Sequence, residues 1–507
     1  MAPAAALPYG LGNGVEGLPH ERYDLVIVGA GISGGVIAER AAAELGLVRP
    51  RPWPTWPPAP RALPGSAAAG PGSQGRPGAR GGRPAPQAGP HPPWNLPRPA
   101  PRPARAPRAR PKAGRRPSGG LTRGNGGHRP PPPTPPVQRS LIIDKRDHIG
   151  GNCYDFINDK GFRISQYGVH LFHTKYDRVW EYVNRFSEWM PYEHRVKGKC
   201  LDQNGEVKLV PIPPSQETVN TLFEAGVTNE DEMEAWLDAR RPKILNPRNG
   251  EEMALSRSGP ELYEAVFKYY TKKQWDKFPA ELDASVLARI PVRLNTDDRY
   301  FTDPHQALPK DGYTKIFENM LLDNPLIDIR LSTDFFQIRD QLPEHTMLVF
   351  TGPIDAYYAS LGLPKLEYRS LRFEEEYHEP EGGFYQEALQ VNHPGPNVDY
   401  TRIVEYKHKP NQPTEVYDKP GTVIFKEYST DVGEPYYPVP NPANRELYEK
   451  YREMAEKEPG VIFVGRLASY KYFNMDQAIL NALEMFDNLK EKGTLEPSTE
   501  FKVLPKA

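Results

Sequence analysis

Two groups of residues in this chain have the types and spacing to do chemistry. The first begins with Gly29-Ala30-Gly31-Ile32-Ser33-Gly34, set directly after the apolar run Leu25-Val26-Ile27-Val28. Glycines so spaced let the backbone turn tightly and come close to a pyrophosphate, whose charge then faces free N–H groups and the positive end of the next helix. Such a motif needs an acidic residue about 20 positions later to hold ribose hydroxyls. None comes there; it comes much later as Asp144, at the end of the apolar run Leu141-Ile142-Ile143. Gly29, Gly31, Ser33, Gly34 and Asp144 are therefore expected to bind a dinucleotide, with Lys145 and Arg146 beside them and Arg146 towards the adenine.

The turn Gly150-Gly151-Asn152 permits close backbone approach at a second place, which favours a large cofactor, FAD, over NAD. Near the other end, Gly465-Arg466 follows an apolar strand and precedes the helix start Asn474-Met475-Asp476. Asn474 or Asp476 could cap that helix. Its N-terminus would stabilise the electron-rich pyrimidine edge of a flavin.

The second group is four segments dense in Arg, Tyr, His and Trp. They are Tyr167 to Thr174 with His170 and His173, Phe267 to Trp275, Arg289 to Arg293 with Tyr300, and Pro435 to Pro438. Guanidinium and phenol donors together suit a diphosphate, and Trp275 offers a stacking or sugar-facing surface. The collective bias points to a phosphorylated sugar.

The elements that must hold these groups follow from periodicity. Leu25–Val28 reads as a buried strand and Ile32 to Leu47 as the next helix; Ser140 to Ile143 reads as a parallel neighbour of the first strand, reached by a right-handed crossover. Apolar residues recur at helical spacing from Tyr176 to about Met190, over Asp231 to Leu237 and over Leu262 to Tyr270. Beyond Tyr300, the β-branched and aromatic runs Met347 to Phe350, Leu371 to Glu376, Thr401 to Tyr406 and Thr422 to Tyr428 read as strands of a second sheet. Val461 to Arg466 and then Met475 to Leu489 form a strand, a glycine turn and a helix that return to the first domain.

The interruption inside the first motif is compositional. Between Arg49 and Pro136 stand 16 Lys or Arg and no Asp or Glu, so a net charge of -1 leaves -17 for the rest of the chain. Proline at such density excludes helix and central strand, and the tract reads as a disordered insertion or a mistaken translation. A nucleic-acid or membrane tail is the reading from a different class, but the tract has no repeat and its Trp53, Trp56 and Trp94 are scattered. Two cysteines, Cys153 and Cys200, give neither a disulfide framework nor a paired metal motif. No apolar run approaches the roughly 20 residues that span a bilayer, and Met1 to His20 lacks a basic n-region and an apolar core. A cytoplasmic protein with no nucleic-acid or membrane partner and no metal is the expectation.

With these residues in view, the chain from Tyr23 to about Val503 resembles the bacterial type of the UDP-galactopyranose mutase family. The segments that carry the resemblance include IDKRDHIGGNCYD, YGVHLFHT, ELYEAVFKYYTKKQW, PVRLNTDDRYF, LPKDGYTKIFENML, YTRIVEYKH, PYYPVP and VGRLASYKYFNMDQAI. The resemblance implies an α/β, Rossmann-like FAD-binding domain, a helical domain and a twisted antiparallel β-sheet domain. Their expected extents are 21–48 with 140–185 for the first part of the FAD domain, 49–139 for the insertion, 186–295 for a mainly helical substrate and lid domain, 296–455 for the sheet domain with returns to the FAD domain, and 456–495 for the last part of the FAD domain.

The implied activity interconverts UDP-galactopyranose and UDP-galactofuranose, which supplies cell-surface glycans. It needs reduced FAD without net redox change, and in the family N5 of the reduced flavin attacks the anomeric carbon, expels UDP and forms a covalent flavin–sugar intermediate. By resemblance Arg289 and Arg402 contact the diphosphate, Arg289 from a mobile lid over Pro279 to Arg293. Tyr270, Tyr300, Tyr437 and Tyr472 lie around the phosphates, Thr271 and Trp275 near the uridine and sugar, and His173 against the flavin. His170 is placed among the cofactor-binding residues in a structural role, and Gly151, Asn152, Gly465, Arg466 and Met475 are placed there as cofactor contacts. Asn474 and His194 stand where some members carry aspartate and asparagine, and both are expected to keep a hydrogen bond to substrate. The resemblance further implies a homodimer, UDP-galactose as substrate and NAD(P)H or another reductant as electron donor. An FAD-dependent amine oxidase or dehydrogenase is the alternative, since it would share the nucleotide motif.

Overall fold

The computed structural model describes residues 22–44 and 139–491. The tract read as an insertion at 49–139 lies outside them, Arg139 excepted, as do Met1 to His20, the expected helix end at 45–47 and the last positions of 456–495.

Five parallel strands form the first sheet, in the order Ile327–Arg330, Ser140–Ile143, Arg22–Val28, Glu344–Phe350 and Val461–Phe463. Strands buried on both faces read as unbroken apolar runs, as Leu141–Ile143 and Val461–Phe463 do. The same rule corrects one expectation. Met347 to Phe350, assigned above to the second sheet, pairs in parallel with the first strand, Leu25 against Met347 and Val28 against Phe350. Met347, Leu348, Val349 and Phe350 are all buried, where a strand with one wet face would alternate. The edge strand Ile327–Arg330 carries Asp328 and Arg330 and shows no apolar run to read.

The two halves of the nucleotide motif meet in this sheet. Leu25 to Val28 pair with Ser140 to Ile143, as expected. The Gly29 N–H donates to the Ile143 carbonyl at 2.8 Å and the Gly150 N–H to the Ala30 carbonyl at 2.9 Å. Helix Ile32–Glu44 and the closing helix Met475–Glu491 share one core with the sheet, in which Ala38, Ala41 and Ala42 pack with Ala482, Leu483 and Phe486. Small side chains let these helices sit close to each other and to the strands.

The second sheet has seven strands, in the order Tyr437–Pro438, Tyr368–His378, Thr422–Thr430, Arg402–Glu405, Gln390–Asn392, Val196–Leu201 and Val207–Ile212. Neighbours are antiparallel except Gln390–Asn392, which pairs in parallel with Val196 to Gly198. Val196–Leu201 and Val207–Ile212 fall within 186–295, the segment read as mainly helical. Val196, Gly198 and Cys200 face inward while the residues between them face out, which is the period of a strand. The helix expected from Tyr176 to Met190 likewise stops at Val183, and Trp189–Pro191 is a strand.

Helices Glu230–Asp238 and Gly250–Leu262 begin where Asn229 and Asn249 accept the backbone N–H of Glu232 and Glu252. Gly259, at φ +74°, and Pro260 kink the second of these. The chain continues as a wide helical stretch Tyr263–Lys268 and then the helix Tyr269–Trp275. A wide turn changes which residues share a face, and here it brings Tyr270, Thr271 and Trp275 to one wall.

Because the crossover rejoins the sheet at Ser140, the tract need contribute no contact to it, and shortening a long excursion alters closure free energy by only about 0.6 kcal/mol per halving. Replacing 49–136 with a short Gly/Ser linker should leave a chain that folds with unchanged flavin absorbance per polypeptide. Loss of flavin in that variant would show that the tract takes part in the domain.

Candidate active site

Two cavities adjoin where the sheets meet. The smaller, of about 440 Å³, runs along the ends of the first sheet and is lined by Gly29, Gly31, Ser33, Asp144, Lys145, Arg146, Gly151, Asn152, His170, Gly465, Arg466 and Met475. Gly34 does not line it. A Cβ there would lie 2.0 Å from the Gly29 carbonyl oxygen, so Gly34 is held by close packing of helix and strand.

The cradle fits a dinucleotide. A Cβ on Gly151, at φ +56°, would stand 2.8 Å from the Gly31 Cα, so the two bare backbone turns pack directly against each other and both line the cavity. The Asp144 carboxylate accepts the Ala30 N–H at 2.8 Å through one oxygen and the Arg146 N–H at 3.0 Å through the other. Each oxygen has further acceptor capacity for ribose hydroxyls. The Arg146 guanidinium lies 4.2 Å from the Tyr167 ring centroid and donates to Asn152 Oδ1 at 3.0 Å, while Lys145 pairs with Glu434 at 2.7 Å. Phe335, Phe336 and Thr351 also line the cavity. Sequence reasoning missed them because they come from segments with no nucleotide-binding pattern.

The larger cavity, about 1890 Å³, brings together His173, His194, Tyr270, Thr271, Trp275, Arg289, Tyr300, Arg402, Tyr437, Tyr472 and Asn474. His170, Arg466, Asn474 and Met475 line both cavities, at the start of the closing helix. Arg402 donates through Nε to Glu427 at 2.6 Å, and Glu427 is 1% exposed. Burial opposes the Arg402 charge, but the Glu427 carboxylate outweighs it and holds the guanidinium protonated well above its ordinary value. Sequence reading missed Glu427 as well; an acid buried in a strand leaves no periodic mark.

The phenols around Arg402 are neutral donors. Burial raises the pKa of Tyr270 and Tyr300 and pushes Tyr437 up to about 12. Tyr437 and Tyr472 sit edge to face at 5.2 Å, and Trp275 meets Tyr472 at 5.7 Å. Arg289 reaches across from the end of helix Ala284–Ala288. Its guanidinium lies 4.1 Å from the Tyr472 ring centroid and donates to the Tyr472 carbonyl at 2.9 Å and to Asn474 Oδ1 at 2.8 Å. This corrects the capping role considered for Asn474: its side chain takes the arginine, while its N–H is met by Gln477 Oε1 at 3.0 Å.

His173 stacks on Phe301 at 3.6 Å and hydrogen-bonds through Nδ1 to Asp303. Asp476 lies near it, 4% exposed, and burial raises the pKa of its carboxyl. His194 is 2% exposed, with Nδ1 lacking a hydrogen-bond partner among the described residues. Burial, aided by the charge of Arg402, pulls its imidazole down to about 3. Burial brings His170 down to about 4, and His170 Nδ1 pairs with the Gly168 carbonyl at 2.8 Å, a structural role.

Known proteins carry the same pattern. A family profile for UDP-galactopyranose mutase matches residues 265–472, and one for an NAD(P)-binding Rossmann-like domain matches residues 137–186. The chain is 42% identical over 351 residues to a probable UDP-galactopyranose mutase of Klebsiella pneumoniae, covering 68% of this chain and 87% of that protein. The chain belongs to the UDP-galactopyranose mutase family. Other relatives of this mutase family member are a dTDP-fucopyranose mutase of Escherichia coli, 36% identical over 68% of this chain and 90% of that one, and the UDP-galactopyranose mutase of Mycoplasma pneumoniae, 33% identical over 69% and 90%. A crystal structure of reduced UDP-galactopyranose mutase shares the fold, with a TM-score of 0.58 at 15% identity over 94% of this chain and 95% of that one.

The neutral His194 in this mutase cleft has a measurable consequence. Unfolded, it titrates near 6.5; folded, near 3. Below about pH 6.5 the unfolded chain takes up a proton that the folded chain refuses, so stability present above that pH is lost as pH falls towards the folded value. At pH 5 the loss is about 2 kcal/mol. Urea midpoints of the FAD-bound protein should therefore drop less between pH 7 and 5 in His194→Asn than in the wild type. Parallel drops would mean that His194 titrates normally.

Proposed function

We propose that the protein interconverts UDP-galactopyranose and UDP-galactofuranose, with reduced FAD in the smaller cavity and at its junction with the larger one. The observation that carries this reading is the convergence of two arginines and four tyrosines on one cleft beside a dinucleotide cradle, in a member of the mutase family. When bound, reduced FAD supplies the nucleophile for the anomeric carbon, with no net redox change.

The chain's own residues bind, orient and enclose. Arg402, fixed by Glu427, opposes the charge of the diphosphate, and the phenols of Tyr270, Tyr300, Tyr437 and Tyr472 hold it by hydrogen bonds, both as a leaving group and while it waits to return. Thr271 and Trp275 seat the uridine and sugar. His173, its Nδ1 held by Asp303, is the residue assigned a place against the flavin. His194, neutral and buried, offers an imidazole nitrogen to the substrate. Arg289 closes over the diphosphate from its segment and excludes water, which strengthens each of these interactions. An oxidase reading would call for a cage suited to hydride removal, and this cleft is built for a polyanion.

Cytoplasmic residence, a homodimer and reduction of the flavin by NAD(P)H or another donor complete the proposal. They are supported by the family resemblance. Among the described residues no helix is long and apolar enough to cross a membrane.

With dithionite as reductant, the FAD-bound protein should convert UDP-galactofuranose to UDP-galactopyranose, resolved by chromatography, and should be nearly inactive when oxidised. Protein fully loaded with reduced FAD that leaves the substrate unchanged would sink the proposal, and dTDP-fucose sugars form a parallel arm because of the Escherichia coli relative. Arg289→Ala should retain FAD yet lose about 100-fold in turnover, the scale of one lost transition-state donor. Unchanged turnover at equal flavin loading would remove Arg289 from the mechanism.

A further inference from the structure

Lys273 lies on the helix Tyr269–Trp275, between Thr271 and Trp275, and turns away from the cleft that both of them line. Its ammonium donates to four backbone carbonyls of one loop: His393 at 2.5 Å, Gly395 at 2.8 Å, Val398 at 3.1 Å and Tyr400 at 3.0 Å. An ammonium has three protons, so four acceptors share them, and the contact is a charge seated in a ring of aligned dipoles. The loop is rich in residues that cannot pair regularly, Pro394, Gly395 and Pro396 among them. It closes through the His393 N–H to the Thr401 carbonyl at 2.9 Å. On one side it follows the strand Gln390–Asn392, and on the other it leads directly into Arg402.

We propose that Lys273 is a positioning residue that ties the wall carrying Thr271 and Trp275 to the loop that sets Arg402, so that the two ends of the nucleotide diphosphate are gripped at a fixed separation. The inference rests on the cleft holding UDP. A hydrophobic side chain of the same length would fill the volume and leave four carbonyls facing one another without a cation. The loop would then relax, and Arg402 would lose its register against the helix while Glu427 still held it.

The test uses the FAD-bound protein and UDP itself as probe. Lys273→Met should retain FAD, weaken UDP binding by about tenfold, the scale of one charge-assisted hydrogen bond, and speed hydrogen exchange across 393–401. Lys273→Ala should be weakened likewise and recover in propylammonium chloride but not in sodium chloride of equal ionic strength, because only an organic ammonium refills both the ring and the stem. Lys273→Arg, should the smaller side chains fail to fold, keeps the charge but spreads it in a plane; it should bind UDP more weakly than the wild type, with faster exchange in the same loop. Lys407→Met is the control, since Lys407 sits among the carbonyls of Gly383, Lys419 and Gly421; it should leave UDP affinity unchanged. Wild-type affinity in the Lys273 variants, or a loss that propylammonium does not restore, would overturn the inference. Failure of the wild type to bind UDP would instead overturn the functional reading.

Discussion

The structure depends on two short strands finding each other across the basic tract. Arg22–Val28 is the middle strand of five, and its neighbours on both sides are supplied by distant sequence, Ser140–Ile143 and Glu344–Phe350. Pairing alone would fix the register, but Asp144 does more. By accepting the Ala30 N–H it locks the glycine turn to the far strand, and the Gly150 N–H to the Ala30 carbonyl locks it to the second turn. The cradle therefore exists only in the joined sheet. Closure of a long loop costs little more than closure of a short one, which is why the fold tolerates so long an interruption at this point.

The second sheet rests on a different kind of anchor. Arg402 is a half-buried cation lining the cleft, and a charge drawn out of water is costly without a partner. Glu427, on the adjacent antiparallel strand, meets it directly across the ladder. That pair keeps the guanidinium charged and directional without filling its hydrogen-bonding capacity, since one nitrogen is engaged and a guanidinium has five donors. Family membership and this geometry agree on a polyanionic ligand, and neither depends on the other.

Motifs that bind through backbone were the most legible in the sequence. Gly29, Gly31, Asp144 and Gly151 announce themselves because few residue types can stand where they do. The parallel strands were legible as apolar runs, but which sheet each joins was not: Met347 to Phe350 carries the same pattern whether it lies at the edge of a substrate sheet or beside Leu25. Val196–Leu201 was hidden by lysines at its outward positions. Residues that support others left no signal at all. Glu427, Asp303 and Lys273 act on Arg402, His173 and a loop, and nothing in their neighbouring sequence separates them from ordinary surface charges.

The two arginines of the cleft are held in ways that suit different duties. Arg402 is tied to a carboxylate and surrounded by phenols, so its position is set before any ligand arrives. Arg289 stands on a short helix at the end of an arm and is held by neutral acceptors, a backbone carbonyl and the amide of Asn474. The guanidinium is charged but neither acceptor is, so a diphosphate, which adds a full opposite charge, competes well for it. Had the acceptor been a carboxylate, the arm would be clamped onto Tyr472 and Asn474 by an ion pair, and substrate would have to break it. Asparagine at position 474 thus leaves Arg289 held but exchangeable, as the closing role proposed for it requires.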